Sequence, residues 1–180
     1  MKDLQNIKEI VKIKRLETEY DLQKASLLER KLRLMSKENP DLIPFRKKLR
    51  DLIATYESES WSEFQNITDV QVEESDKAEE LIKLEQLFVK KRKQHIRKKL
   101  KEYDLTQQDL GTILGHPKSY ISELMNGLTQ FTLKDLVIIH RILGLSLEVL
   151  IPTYLQSETR NRVKNTIKKL NKPKLAPDML

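Results

Sequence analysis

Apolar side chains recur every three or four residues along most of this 180-residue sequence, a spacing that predicts helices. Thr18, with Asp21 three residues later, predicts the start of one helix, and Asn39-Pro40 separates that helix from a second. Their apolar stripes are Ala25, Leu28, Leu32 and Met35 in the first helix and Leu42, Phe45, Leu49, Leu52 and Tyr56 in the second. The short connection predicts an antiparallel hairpin. Because neither helix can bury its stripe alone, the hairpin must pack on a third element, another copy or a partner protein.

The two ends of the chain have weaker patterns. Residues 4–16 fit either a helix or an edge strand, since Val11 and Ile13 alternate with lysines. After residue 153 the sequence predicts one basic helix that ends near Leu170, where prolines begin.

The segment from Thr106 to Gly127 has the pattern of two short helices joined by a tight turn. Thr106 is a suitable N-cap, Gly115 stands where a helix end favours left-handed backbone, and Pro117 fits the first turn of the next helix. Gly111 costs a helix about 1 kcal/mol relative to alanine, so we expect the two helices to cross closely there. This layout most often places the second helix in the major groove of DNA.

The second of these helices has two distinct faces. Ile121 and Leu124 form the apolar face, and Tyr120 at its edge is expected to pack in the core. The opposite, polar face is expected to be exposed and comprises Lys118, Ser119, Ser122, Glu123 and Asn126.

Further helices are predicted on both sides of this segment. They run from about Ser75 to Tyr103, from Thr132 to Gly144, and from Ser146 to Pro152.

Charge is distributed unevenly along the chain. Residues 56–80 contain nine acidic residues and one basic residue, whereas residues 81–101 contain nine basic residues and one acidic residue. The basic run KKRKQHIRKKLK at 90–101 is expected to contact phosphates, with a solvated helix face as the alternative. Residues 57–80 are interpreted as an acidic linker that binds a partner through the apolar side chains of Trp61, Phe64, Val70 and Val72.

The sequence does not favour an enzyme. His95, His116 and His140 lie far apart, and there is no nucleophile motif or glycine-rich phosphate loop. The absence of cysteine excludes disulfides and thiolate metal sites, and we expect no metal or other cofactor. No apolar run approaches about 18 residues and no signal peptide is apparent, so we expect a soluble, cytoplasmic protein that does not enter membranes.

Residues 90–152 resemble the lambda-repressor-like (XRE) helix-turn-helix family in their Thr-Gln helix start, in Leu110-Gly111, and in Asn126-Gly127. Departures from the family pattern are His116-Pro117 before the second helix and Met125, where an acidic residue is common. The segments LETEYDLQKAS, LRDLIATYESESW and FTLKDLVIIHRILGLSLEVLIP are similar to HigA-type antitoxins. That resemblance implies a dimer that neutralises a small ribonuclease toxin and represses its own operon.

The XRE resemblance also implies roles for individual side chains. Base edges would be read by Lys118, Ser119 and Glu123, with Ser122 able to contact either a base or a phosphate. Gln107 and Asn126 would contact phosphates, and the basic run adds Arg97 and Lys98 to the predicted phosphate contacts.

We therefore expect an all-α protein in which an N-terminal helical hairpin precedes a five-helix XRE domain. The expected parts are the hairpin region (1–56), the acidic linker (57–80), the XRE domain with its long leading helix (81–152), and a basic C-terminal helix and tail (153–180). The expected partners are double-stranded operator DNA, a basic HigB-like ribonuclease toxin and a second copy of the chain. The alternatives are a stand-alone XRE regulator whose hairpin dimerises or senses a signal, and a helical adaptor that does not bind DNA.

Overall fold

A computed structural model describes residues 7–60, 69–155 and 157–170 of the chain. All regular structure in these ranges is helical, which confirms the predicted all-α class. Two short 3₁₀ helices, at Ile7–Lys12 and Pro40–Leu42, precede α1 and α2 respectively. The α-helices are α1 (Glu19–Met35), α2 (Ile43–Ser60), α3 (Asp69–Glu102), α4 (Gln107–Leu114), α5 (Lys118–Asn126), α6 (Leu133–Leu143), α7 (Leu147–Leu150) and α8 (Ser157–Leu170).

The N-terminal hairpin forms as the sequence predicted. The Thr18 hydroxyl accepts a hydrogen bond from the Asp21 amide, and the Asp21 carboxylate accepts one from the Thr18 amide, so a capping box begins α1. Helix α1 packs against both α2 and α3. The 3₁₀ helix at Ile7–Lys12 closes the hairpin core and decides against a strand in that segment. The core comprises Ile7, Ile10, Ile13, Leu16, Leu22, Ala25, Leu28, Leu32, Leu42, Leu49, Leu52 and Leu128.

The stretch expected to be a linker is helical at both of its ends. Helix α2 continues to Ser60, and α3 begins at Asp69 rather than near Ser75. An aspartate in the first turn stabilises a helix through its dipole, and no glycine or proline interrupts the residues that follow. Of the predicted partner-binding residues, Val70 lies within α3 and Val72 is exposed on it. Trp61 and Phe64 lie outside the described residues.

Helix α3 connects the two halves of the molecule. Its contacts include α1 on one side and α4, α5, α6 and α7 toward its C-terminal end. A second core lies there, built from side chains of α3 to α7 and the loops between them. Its members are Ile96, Leu100, Leu110, Leu114, Ile121, Leu124, Met125, Phe131, Leu136, Ile139, Leu143, Leu145 and Leu150.

The two cores meet where α5 ends. Leu128 is fully buried in the hairpin core, and its carbonyl accepts a hydrogen bond from the Ile7 amide at 3.1 Å. Gly127, with a φ of 67°, lies so close to α3 that a Cβ atom would be 2.9 Å from Cγ1 of Val89. Only glycine combines this backbone conformation with this approach. The C-terminal end of α5 is therefore fixed against both the hairpin and α3.

Two lysines reinforce this junction by binding Asn126. The Lys31 ammonium donates to the Asn126 carbonyl at 3.0 Å, and the Lys93 ammonium donates to the Asn126 side-chain oxygen at 2.5 Å. Burial, together with the smaller effect of repulsion from Lys24, lowers the pKa of Lys31 from 10.5 to about 8. The junction thus holds a cation whose charged form is disfavoured in the folded protein.

We expect this depressed pKa to make the free energy of unfolding rise with pH between about 8 and 10.5. In this window Lys31 binds fewer protons in the folded chain than in the unfolded chain, so raising the pH favours folding, by up to roughly 3 kcal/mol. Urea unfolding across this window should show that the Lys31→Met variant lacks most of the rise. Lys37→Met, which changes an exposed lysine, should keep it. An identical pH dependence of stability in the unaltered protein and both variants would contradict the assignment of this effect to Lys31.

Candidate nucleic-acid interface

Helix α4 begins and ends with the predicted caps. The Asp109 amide donates to the Thr106 hydroxyl oxygen at 3.1 Å, and the Thr106 amide donates back to the Asp109 carboxylate at 2.8 Å. The Thr106 hydroxyl also donates to the Asp109 carboxylate at 2.7 Å, and this bond, together with that from the Thr106 amide, lowers the pKa of Asp109. Gly115 ends the helix with a φ of 75°, as predicted. Leu110 and Leu114 are buried, whereas Ile113 is exposed.

Gly111 is the point of closest approach between α4 and the segment that leads into α5. A Cβ atom on Gly111 would lie 2.9 Å from the His116 carbonyl oxygen and 3.4 Å from Cγ2 of Ile121. The His116 carbonyl oxygen belongs to the backbone, so it cannot move aside by a side-chain rotation. The close crossing inferred from this glycine in the sequence is confirmed.

The turn between α4 and α5 is attached to the start of α6. Nε2 of His116 lies 3.1 Å from Oδ1 of Asp135, whose other oxygen accepts the Thr132 amide in the capping box of α6. The His116 ring also packs edge to face on Tyr120, with 4.9 Å between ring centres. Pro117 is the residue before the helix, so α5 begins one position later than the first-turn proline predicted. These contacts fix the orientation in which α5 leaves the turn.

The first turn of α5 presents polar side chains to solvent. Lys118 and Ser119 are exposed, and Ser122, one turn later, is half-buried. Tyr120 is also half-buried and packs against the second core, as predicted. The predicted polar face is therefore present in the N-terminal half of α5.

The C-terminal half of α5 differs from the prediction. Glu123 was expected on the exposed face, but it is only 9% exposed and belongs to the buried side of the helix. Asn126 is half-buried, and its amide group donates to the Ser122 carbonyl while its oxygen accepts from Lys93. The expectation of one exposed stripe along α5 is wrong here because the helix packs on α3 as well as on α4.

The basic run 90–101 is divided between two sides of α3. Arg92 is buried and Lys93 is half-buried, and both are directed toward the protein interior. The remaining exposed cations, spaced as one helical face, are Lys90, Lys91, Arg97, Lys98 and Lys101. Arg97 and Lys98, the predicted phosphate contacts, are exposed on this face, but the whole run does not lie on one surface.

Comparison with known protein families identifies this unit. A family model described as Helix-turn-helix matches residues 96–150, from the C-terminal end of α3 through α7. Residues 96–150 form a helix-turn-helix domain of the lambda-repressor type. Within it, α4 and α5 are the helix-turn-helix pair, and α5 occupies the position of the recognition helix in that motif. No curated protein and no solved structure matches the chain significantly.

In the described part of the chain, no helix is long and apolar enough to cross a membrane. In the same ranges, no group of three or more histidine, aspartate or glutamate side chains is arranged to hold a metal ion. His140 in α6 is half-buried, and its Nδ1 lies 2.6 Å from the Leu145 carbonyl oxygen. Gln107, the predicted phosphate contact at the start of α4, is half-buried.

Proposed function

We propose that this chain is a sequence-specific DNA-binding regulator that inserts the N-terminal half of α5 into the major groove. The observation that carries the proposal is the exposure of Lys118 and Ser119 at the start of a recognition helix held by the Gly111 crossing. In helix-turn-helix proteins the first residues of this helix contact base edges. Lysine can donate to the guanine acceptors O6 and N7, and serine can donate or accept.

Phosphate contacts would orient the helix in the groove. The exposed cations Arg97 and Lys98 lie in the last two turns of α3 and would supply charge without base selectivity. Gln107 is retained as a phosphate contact because it opens α4. Asn126 is less suited to that role, since its side chain already binds Lys93 and Ser122. Glu123 is not among the proposed base contacts because its side chain is buried.

A single recognition helix of nine residues offers few base contacts. We therefore propose a homodimer on a two-fold operator, with the two recognition helices about 34 Å apart.

We further propose that the chain is the antitoxin of a toxin-antitoxin pair and represses its own operon. The support is the acidic N-terminal part of α3, where Glu73, Glu74, Asp76, Glu79 and Glu80 are exposed. Such a surface would attract a basic ribonuclease and cover its RNA-binding side. The stand-alone regulator remains the second candidate, and the family match is equally compatible with it.

Replacing Lys118 and Ser119 by alanine should weaken binding to DNA taken from upstream of the chain's own gene by about tenfold or more, because each base contact contributes about 1–3 kcal/mol. Fluorescence anisotropy against this fragment and a scrambled fragment would measure the loss. Ser36→Ala with Lys37→Ala, which alters a serine-lysine pair after α1, is the matched control. Unchanged specific binding by the Lys118 and Ser119 variant would contradict the assignment of α5.

The same titrations at several salt concentrations distinguish phosphate from base contacts. The double variant Arg97→Ala with Lys98→Ala should weaken binding to both DNA fragments equally. It should also reduce the slope of log affinity against log salt concentration by about 2, since each phosphate contact releases about one counterion. A salt slope near zero for the unaltered protein would favour the adaptor that does not bind DNA.

The antitoxin role predicts that the chain binds a small basic protein encoded by a neighbouring gene. Co-expression should restore growth inhibited by that product and should yield a complex. Replacing Glu73, Glu74 and Glu80 by glutamine should weaken the complex and make it less sensitive to salt while DNA binding is retained. If the neighbouring gene product stays equally toxic and forms no complex when this chain is present, the antitoxin proposal is overturned, whereas the proposal of a DNA-binding regulator still stands.

A further inference from the structure

A partly enclosed cavity of about 440 Å³ lies between α3, the loop that follows the recognition helix, and the start of α8. Its volume is in the range of small-molecule sites. Most of its wall is apolar, formed by Phe88, Val89, Phe131, Leu136, Leu150 and Leu155. Neither the DNA-binding proposal nor the toxin proposal uses this cavity.

The polar centre of the cavity is a buried arginine. Arg92 is 8% exposed, and its guanidinium carbon lies 5.2 Å from the centre of the Phe88 ring and 5.0 Å from that of Phe131. The rings attract the cation, and contacts with their faces leave the N–H edges of the guanidinium available for hydrogen bonds. One N–H group donates to the Leu150 carbonyl at 3.4 Å.

Arg92 lacks a compensating carboxylate among the side chains that the structure describes. Glu85, which also lines the cavity, binds the Lys24 ammonium and accepts a hydrogen bond from the Tyr20 hydroxyl at 2.5 Å. Burial lowers the pKa of Arg92 to about 10, so the guanidinium is still charged at neutral pH. The described lining residues carry two cations and one anion, an excess of one positive charge.

A second polar group in the cavity has an unused hydrogen-bonding capacity. Thr129 lines the cavity, is 3% exposed, and its hydroxyl has no hydrogen-bond partner among the described residues. Buried hydroxyl groups normally have a hydrogen-bond partner, because burial removes the water that would otherwise bind them. Tyr154 adds a neutral hydroxyl, since burial and the nearby Glu85 charge raise its pKa.

We propose that this cavity binds a small organic carboxylate with an apolar body. The carboxylate would accept paired N–H bonds from Arg92 and a hydrogen bond from Thr129, and the apolar body would contact the phenylalanine and leucine walls. A ligand of this class supplies the missing negative charge and satisfies the buried hydroxyl. The binding site is independent of the proposed DNA-binding role.

The test uses the full chain without DNA and two pairs of probes, benzoate with benzyl alcohol and hexanoate with hexan-1-ol. Calorimetric titration should show that the unaltered protein binds at least one carboxylate about tenfold more tightly than the matching alcohol, since charge-assisted hydrogen bonds are the stronger kind. Inorganic phosphate, which lacks an apolar body, should bind more weakly than that carboxylate.

Two variants locate the site. Arg92→Met should abolish the preference for the carboxylate, and Thr129→Val should weaken carboxylate binding several-fold without lowering the thermal unfolding temperature, because no protein hydrogen bond is lost. Arg141→Met and Thr112→Val, which alter exposed residues outside the cavity, should bind like the unaltered protein.

Three results would overturn the proposal. They are equal affinity for acids and alcohols, no binding of either acid at millimolar concentration, and carboxylate binding that is unaffected in Thr129→Val. If Arg92→Met fails to fold, the Thr129→Val comparison alone decides, because that substitution keeps the shape of the side chain.

Discussion

Burial of Leu128 in the hairpin core is the interaction on which the rest of the structure depends. This residue follows the recognition helix directly, yet it packs among side chains of α1, α2 and the 3₁₀ helix at Ile7–Lys12. Gly127 lets the same segment approach α3, and Lys31 and Lys93 bind Asn126 beside it. A helix of nine residues is only marginally stable alone, so its position is set by these tertiary contacts.

This anchoring divides α5 into two functional parts. The C-terminal part is committed to packing, with Glu123 and Met125 buried and Asn126 bound to Lys93. In the N-terminal part Tyr120 and Ile121 pack on the second core, whereas Lys118 and Ser119 are exposed. The hairpin therefore supports the recognition helix. A ligand in the Arg92 cavity would also contact the loop that follows this helix.

The features predicted correctly from sequence depend on local chemistry. The helix N-caps at Thr18, Thr106 and Thr132 and the left-handed glycine at Gly115 act within a few residues, so spacing alone reveals them. The features that were missed depend on distant packing partners. Nothing near Glu123 or Arg92 in sequence indicates that they face inward, because their burial comes from contacts with other helices and loops. The docking of Leu128 on a hairpin whose second helix already ends at Ser60 is likewise invisible to helical periodicity.

Native-state hydrogen exchange of a Leu128→Ala variant tests most directly whether the hairpin anchors the recognition helix. Truncating a buried leucine costs about 2–5 kcal/mol. We predict that the protection of the Leu28 and Leu32 amides in α1 and of the Ile121 amide in α5 falls by the same amount, because both cores lose stability together. Leu34→Ala, which alters an exposed leucine of α1, should change little. Loss of protection in α1 with α5 unchanged would contradict the account.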